Sequence, residues 1–419
     1  MKWNKLGRGT LASVLSLALV SVTACSRDYV LAYVYVTTAK PLTTSSKHGG
    51  ISAYAVDYQI GSLTPLADSP VEAGTNPVTL VAAPNGLNLY VVNHDDSTVG
   101  VYSIGTDGKI YLQSTVNVTG SNATSIAIDN AGKFLYVTFQ YQVGPGGQQL
   151  YSPASPGPGG VTIFPISATD GSLGAPLTQK VGNNPVGVVV SRPTPGTSTV
   201  FVYVIDQETP TPPVATVLGF QQNSSTGALT PTPGTVITTD STGKTVATGY
   251  GAGTTPSAIV EDPSARFVYI TDEATNQMYG YVVSNTGALV AMTNGPFATG
   301  ILPVGLTIDP RGQFLYVTNY TSGTVGAYAI NTASGTPVGS VGSASTTVDT
   351  GPQCVTVDPA LGIYVYTANN LAGTVSALQL DPHNGGLKQV QNTPFPANGL
   401  PTCAVSVANG SHPTQIIVE

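Results

Sequence analysis

The stretch Phe314-Leu315-Tyr316-Val317-Thr318-Asn319 decides the fold. It is built from aromatic and β-branched residues, which favour a pleated, buried strand. Its tyrosine recurs at Tyr35, Tyr90, Tyr136, Tyr203, Tyr269 and Tyr366, each inside a similar run. The intervals are 55, 46, 67, 66, 47 and 50 residues. A strand repeated at such a period, with insertions in the third and fourth intervals, fits one four-stranded blade per repeat. Seven such strands predict an all-β protein, a seven-bladed β-propeller.

The neighbouring strands are placed outward from that tyrosine. About ten residues before it lies an apolar run opened by Pro77, Pro185, Pro256, Pro303, Pro352 or Pro401, with Ala123 taking the place in one repeat. This is read as the innermost strand, A, and the tyrosine run as strand B. Two residues beyond each proline stands a small residue: Thr79, Ser125, Gly187, Ala258, Gly305, Cys354 or Cys403. Small residues are expected where seven inner strands crowd a channel. Turn formers such as Asp309-Pro310-Arg311-Gly312 join A to B. Strand C follows B, and hairpin pairs such as Asp107-Gly108, Asp170-Gly171 and Asn384-Gly385 lead into an outer strand D. The chain enters at strand B and ends with a lone strand A from Pro401. The C-terminal strand is therefore expected to join the N-terminal strands and close the ring, which removes exposed edges.

The first 24 residues read as a leader. Lys2, Lys5 and Arg8 precede a short apolar run, Leu11 to Val22, too short to span a bilayer core that needs roughly 20 residues. Val22-Thr23-Ala24-Cys25 resembles the lipobox of bacterial lipoproteins, which implies cleavage before Cys25 and lipid on its sulfur. Residues 1–24 are thus a signal peptide, 25–28 a lipid-anchored tether and 29–419 one propeller. The expected location is outside the cytoplasm, membrane-anchored in the outer membrane and periplasm or at the cell surface. Without the leader, 11 basic residues face 21 acidic ones, a net charge of −10. That balance excludes a nucleic-acid binder, and a monomer is expected. Cys354 and Cys403, at equivalent places in successive inner strands, are either a disulfide or two small buried residues.

Tyr316-Val317-Thr318-Asn319, with the variants Tyr90-Val91-Val92-Asn93, Tyr269-Ile270-Thr271-Asp272 and Tyr366-Thr367-Ala368-Asn369, resembles the YVTN-type repeat. The whole chain after the leader is similar to the lactonase-like seven-bladed propellers, which include 6-phosphogluconolactonases and carboxymuconate cyclases. The resemblance implies a lactone hydrolase. Such chemistry needs a base for water and a donor or metal for the carbonyl oxygen. The B–C loops, expected on the upper face, supply His94, Asp95, Asp206, Asp272 and Glu273 as catalytic candidates. Asn93, Asn183, Asn319, Tyr320 and Asn369 are ligand-binding candidates. Asp96 and Glu208 are candidate ligands of a calcium ion. The competing reading makes these Asp and Asn residues ordinary turn formers. Arg192, Arg266 and Arg311 fall in lower-face turns, so a phosphorylated substrate is not expected. A glycine- and proline-rich insertion, 142–159, lies in a B–C loop as a lid, a docking arm or a solvated loop. Two functions follow: hydrolysis of a non-phosphorylated sugar lactone, or non-catalytic binding of a glycan or protein.

Overall fold

The computed structural model of the chain describes residues 30–194, 196–207, 215–339 and 345–410. They form seven antiparallel sheets whose strands run A to D from the axis outward. The inner A strands are Pro401–Ala408, Pro77–Ala82, Gly120–Ile128, Pro185–Val190, Pro256–Glu261, Pro303–Ile308 and Pro352–Val357, numbered here as blades 1 to 7. The B strands, in the same order, are Val30–Thr38, Asn88–Asn93, Phe134–Gln142, Phe201–Asp206, Phe267–Asp272, Phe314–Asn319 and Tyr364–Asn369. Blade 1 pairs the C-terminal strand with Val30–Thr38, so the ring closes between the two ends of the chain. The long fourth interval is accounted for by an extra hairpin, Val236–Thr239 with Thr245–Thr248, beside blade 4.

Strand B shows why the repeat is so apolar. All six residues from Phe314 to Asn319 are buried, with no alternation. Each blade is covered on both faces by its neighbours, so period-two patterning is lost. The core is correspondingly divided into seven apolar clusters, one in each seam between blades.

The repeated tyrosine fastens each seam. Its hydroxyl donates to the carbonyl of a glycine in the C–D turn of the next blade: Tyr35 to Gly108, Tyr90 to Gly171, Tyr136 to Gly227, Tyr203 to Gly287, Tyr269 to Gly335, Tyr316 to Gly385, and Tyr366 to Gly61. The O···O distances run from 2.5 to 3.1 Å. All seven glycines are left-handed, with φ between 68° and 79°. At Gly385 a β-carbon would fall 2.2 Å from Phe314, so the turn needs glycine both for its φ and for space. Burial raises the pKa of every one of these phenols, so they remain hydrogen-bond donors.

A second set of bonds ties the inner strands together. In each A strand that opens with proline, the register with strand B slips just after it, as between Pro303 and Gly305. The slip leaves the proline carbonyl available to the neighbouring blade. Thr124 donates to Pro185 O at 2.9 Å, Ser257 to Pro303 O at 2.8 Å and Thr402 to Pro77 O at 2.7 Å. Cys354 and Cys403 form a disulfide, Cα–Cα 4.9 Å, which joins blade 7 to the C-terminal strand of blade 1. The covalent link therefore ties the strand that closes the ring to the blade before it.

All seven small residues placed two beyond the start of strand A, Thr79, Ser125, Gly187, Ala258, Gly305, Cys354 and Cys403, line an axial cavity of about 410 Å³. The lower end of the axis holds a second cavity of about 480 Å³, bordered by Glu261, Arg192 and Asp262. The Arg192 N–H donates to Glu261 Oε2 at 2.9 Å. Burial, opposed by that hydrogen bond and reinforced by Asp262, pushes the Glu261 carboxyl up to about 8.

Replacing Tyr316 with Phe leaves the Gly385 carbonyl buried without its donor, a loss of about 1–3 kcal/mol. Urea unfolding should show a lower midpoint at an unchanged slope; an unchanged midpoint would refute the seam role. Glu261 has a folded pKa above the roughly 4.3 of an unfolded glutamate. Between those values the native state holds a proton that the unfolded state has released, so this group's contribution to stability falls as pH rises. Comparing unfolding at about pH 5 and pH 8, Glu261→Gln should lose less stability than the parent protein.

Candidate functional site

The fourth residue after the repeated tyrosine stands at the upper end of each blade. Its occupants, from blade 1 to blade 7, are Ala39, His94, Gln140, Gln207, Glu273, Tyr320 and Asn370, of which all but His94 and Gln140 line the axial cavity or the space above it. In six blades its backbone N–H donates to the carbonyl of the residue immediately before strand A. The pairs are Ala39 with Leu400, His94 with Asn76, Gln207 with Asn184, Glu273 with Thr255, Tyr320 with Leu302, and Asn370 with Gly351, at 2.7 to 3.1 Å. Most of those acceptor residues are left-handed, among them Asn76, Asn184 and Gly351. Asn and Gly tolerate that conformation best.

Strand B itself ends in a structural clip. Asn319 accepts from Gly300 N at 3.0 Å and donates to Thr324 at 3.2 Å. Asn93 makes the same pair with Gly74 and Thr98. Asn369 donates to Thr374 and Ser376. Asp272 is fully buried and accepts from the N–H groups of Thr254, Thr255 and Ala274 and from the Thr275 hydroxyl, at 2.7 to 3.3 Å. Asp206 occupies the same buried place in blade 4, against Gly182. These residues fix the upper loops to the blades from inside the wall.

Glu273, the next residue after that clip, is half-buried and lines the axial cavity together with Gln207. Burial, reinforced by the charge of Asp272, raises its carboxyl above the usual glutamate range. Glu273 is the sole carboxylate, and no lysine or arginine is present, among the residues lining this cavity and the upper mouth. A run of side-chain amides leads to it across three blades. Asn122 donates to Gln140 at 3.2 Å, Gln140 to Asn184 at 2.7 Å, Asn184 to Gln207 at 2.9 Å, and Gln207 to Pro256 O at 2.7 Å. Tyr320 and Asn370 meet at 3.4 Å on the far side, and Asn370 donates to Pro401 O at 3.1 Å.

The other sequence candidates are distributed differently. His94 Nδ1 lies 2.6 Å from Asp95, and Asn76 also donates to Asp95. Partial burial works against the Asp95 charge, but the His94 and Asn76 hydrogen bonds win and lower its pKa. Asp96 accepts from Thr75 N at 2.6 Å. All three belong to blade 2, three blades from Glu273, and none lines the axial cavity. Asn183 ends strand D of blade 3, while its neighbour Asn184 carries the rim contact. Cys25 and Glu208 lie outside the described residues. Among the described residues, no group of three or more His, Cys, Asp or Glu could hold a metal ion. The insertion after Gln142 contains a short 3₁₀ turn, Pro145–Gly147, and its base is held by Gln142 donating to Gly159 O at 2.8 Å.

Gln140 and Asn122 are not among the residues that the sequence places at the site, whereas Asn184 lies with Asn183 in a D–A loop of the upper face. Gln140 is hidden in the aromatic run Phe134–Gln142, which continues past the usual end of strand B. Asn122 lies near the start of strand A of blade 3, and Asn184 just before strand A of blade 4, both left-handed. The signal in the sequence is the repeated Asn at this place, in Asn76-Pro77, Asn122-Ala123 and Asn184-Pro185.

The sequence profile of the family described as lactonase, 7-bladed β-propeller, matches residues 33–211 and 214–357. Among curated proteins, none matches the chain in sequence. Solved structures share the fold. A protein of Bacteroides fragilis described as a candidate 6-phosphogluconolactonase superposes with a TM-score of 0.68 at 18% identity, over 91% of this chain and 99% of its own. The periplasmic gluconolactonase PpgL of Pseudomonas aeruginosa gives 0.66 at 22% identity, over 90% and 99%. A functionally unknown protein of Desulfotomaculum acetoxidans gives 0.61 at 14% identity, over 91% and 99%. The YVTN-type repeat, its tyrosine-fastened ring of seven blades and the profile match together make this chain a member of the lactonase family of seven-bladed β-propellers.

Proposed function

We propose that the chain hydrolyses a non-phosphorylated lactone at the upper mouth, with Glu273 as general base. The observation that carries this is the lone half-buried carboxylate in a cavity otherwise lined by small, hydroxyl, amide and apolar side chains. Family membership supports the reaction class. The relatives whose descriptions mention lactonase activity share the fold at low identity, which supports the architecture only. The lack of lysine and arginine around the cavity weighs against a phosphate group, which needs cationic or multiple N–H partners.

In the proposed step, the Glu273 carboxylate removes a proton as water oxygen bonds to the lactone carbonyl carbon. The tetrahedral intermediate collapses, the ring C–O bond breaks, and the leaving oxygen takes the proton back from Glu273. The product is an open-chain hydroxy acid. A base whose pKa is raised by burial and by the Asp272 charge accepts a proton more readily than an ordinary glutamate. Asp272 contributes by position: its four accepted hydrogen bonds hold the loop that presents Glu273. Export by the leader and anchoring through Cys25 would place this activity outside the cytoplasm. The amide run from Asn122 to Gln207 favours a second reading, a binding surface for sugar hydroxyls without catalysis.

Proton release from a panel of sugar and aliphatic lactones separates the two. Saturable turnover is expected, with kcat falling by about 10²–10⁴-fold in Glu273→Gln at an unchanged melting temperature. The acid limb of kcat/KM should lie above the ordinary glutamate pKa. Absence of turnover on every lactone, with saturable sugar binding, would establish the binding reading instead.

A further inference from the structure

The upper mouth has two chemically different halves. Blades 3 to 5 contribute Asn122, Gln140, Asn184, Gln207 and Glu273. Blades 6, 7 and 1, with Asn76 and Val78 of blade 2, frame a space of about 400 Å³ whose apolar border is Ala39, Val78, Leu302, Val304 and Leu400. Its polar border includes Asn76, Gln353, Asn370 and Thr402. That space is continuous with the axial cavity, since Val78, Val304, Gln353 and Thr402 line both.

Two of the apolar residues hold a conformation that leucine rarely adopts. Leu302 has φ 58° and Leu400 φ 48°. The equivalent place in the repeat, next before the proline or Ala123, is filled by Asn76, Asn122, Asn184 and Gly351 in four other blades, also left-handed. Those residues suit the backbone, and leucine does not. Leu400 is 45% exposed, and neither leucine belongs to an apolar cluster between blades. Core packing therefore gives no reason for leucine here. Backbone strain held beside a cavity, at exposed Leu400 and half-buried Leu302, points to a ligand contact.

We infer that the mouth holds a lactone bearing an aliphatic chain, with its ring toward Glu273 and Gln207 and its chain over Leu302 and Leu400. The placement of the ring rests on the proposed hydrolase; the apolar subsite for the chain stands on Leu302 and Leu400 alone. Neutral aliphatic lactones also suit a mouth without cations.

The test compares γ-decanolactone, which carries a hexyl chain, with γ-butyrolactone, which carries none. Binding is measured by calorimetry on Glu273→Gln protein, so that hydrolysis does not interfere, with and without Leu302→Asn and Leu400→Asn. Asparagine is the residue three other blades use at this place, so the melting temperature should stay level or rise. A preference for γ-decanolactone of more than about tenfold is expected, collapsing toward equality in the doubly substituted protein. Equal affinity for the two lactones, or a preference that survives both substitutions, would overturn the subsite. If parent protein turns over no lactone while the leucine-dependent preference persists, the hydrolase falls and the subsite stands.

Discussion

The ring depends on one hydrogen bond made seven times. Each blade's buried tyrosine reaches out of its own sheet and donates to a left-handed glycine carbonyl of the next. A tyrosine in this position must be buried to pack the seam, and a buried phenol needs a partner. The glycine must be left-handed to turn its carbonyl inward, and the blade beneath leaves no room for a β-carbon. The two requirements meet only if successive repeats stack at a fixed rotation. The last of the seven, Tyr366 to Gly61, joins the end of the chain to its beginning, and Cys354–Cys403 lies at the same seam.

The candidate site is a by-product of this scaffold. The strand that carries the tyrosine ends three residues later in a buried Asn or Asp clip, except in blades 1 and 3. The following residue is then pinned by its backbone to the entrance of strand A. Its side chain is thereby directed to the upper face, where in blades 4 and 7 it bonds to the next blade and in blade 5 it is Glu273 beside the axial cavity. Seven such places surround one axis. The chain fills most of them with neutral residues and one with Glu273. A single carboxylate in a cavity without cations has its pKa raised by burial and by the adjacent Asp272 charge, which is the condition of a usable base.

The fold was legible because its determinants are local and repeated: a tyrosine in a strand, a proline ten residues earlier, a small residue two beyond it. The channel lining followed from the same alignment of repeats and holds at all seven positions. The site was legible only in part. Asp272 and Glu273 are adjacent and alike in sequence, yet one is sealed in the wall and the other faces the cavity. That distinction depends on where strand B ends, which hydrogen bonds to Thr254 and Thr255 decide. His94 and Asp95, equally candidates from the sequence, lie on blade 2, with blades 3 and 4 between them and Glu273. The amide run was invisible because Gln140 and Asn184 are brought together by the stacking of blades 3 and 4, forty-four residues apart in the chain.

The most direct test of the account is a crystal structure of the Glu273→Gln protein soaked with an aliphatic lactone. The account predicts the lactone ring within hydrogen-bond reach of residue 273 in the axial cavity, with its chain lying against Leu302 and Leu400. Lactone bound instead beside His94 and Asp95 on blade 2, with the axial mouth holding only water, would contradict it.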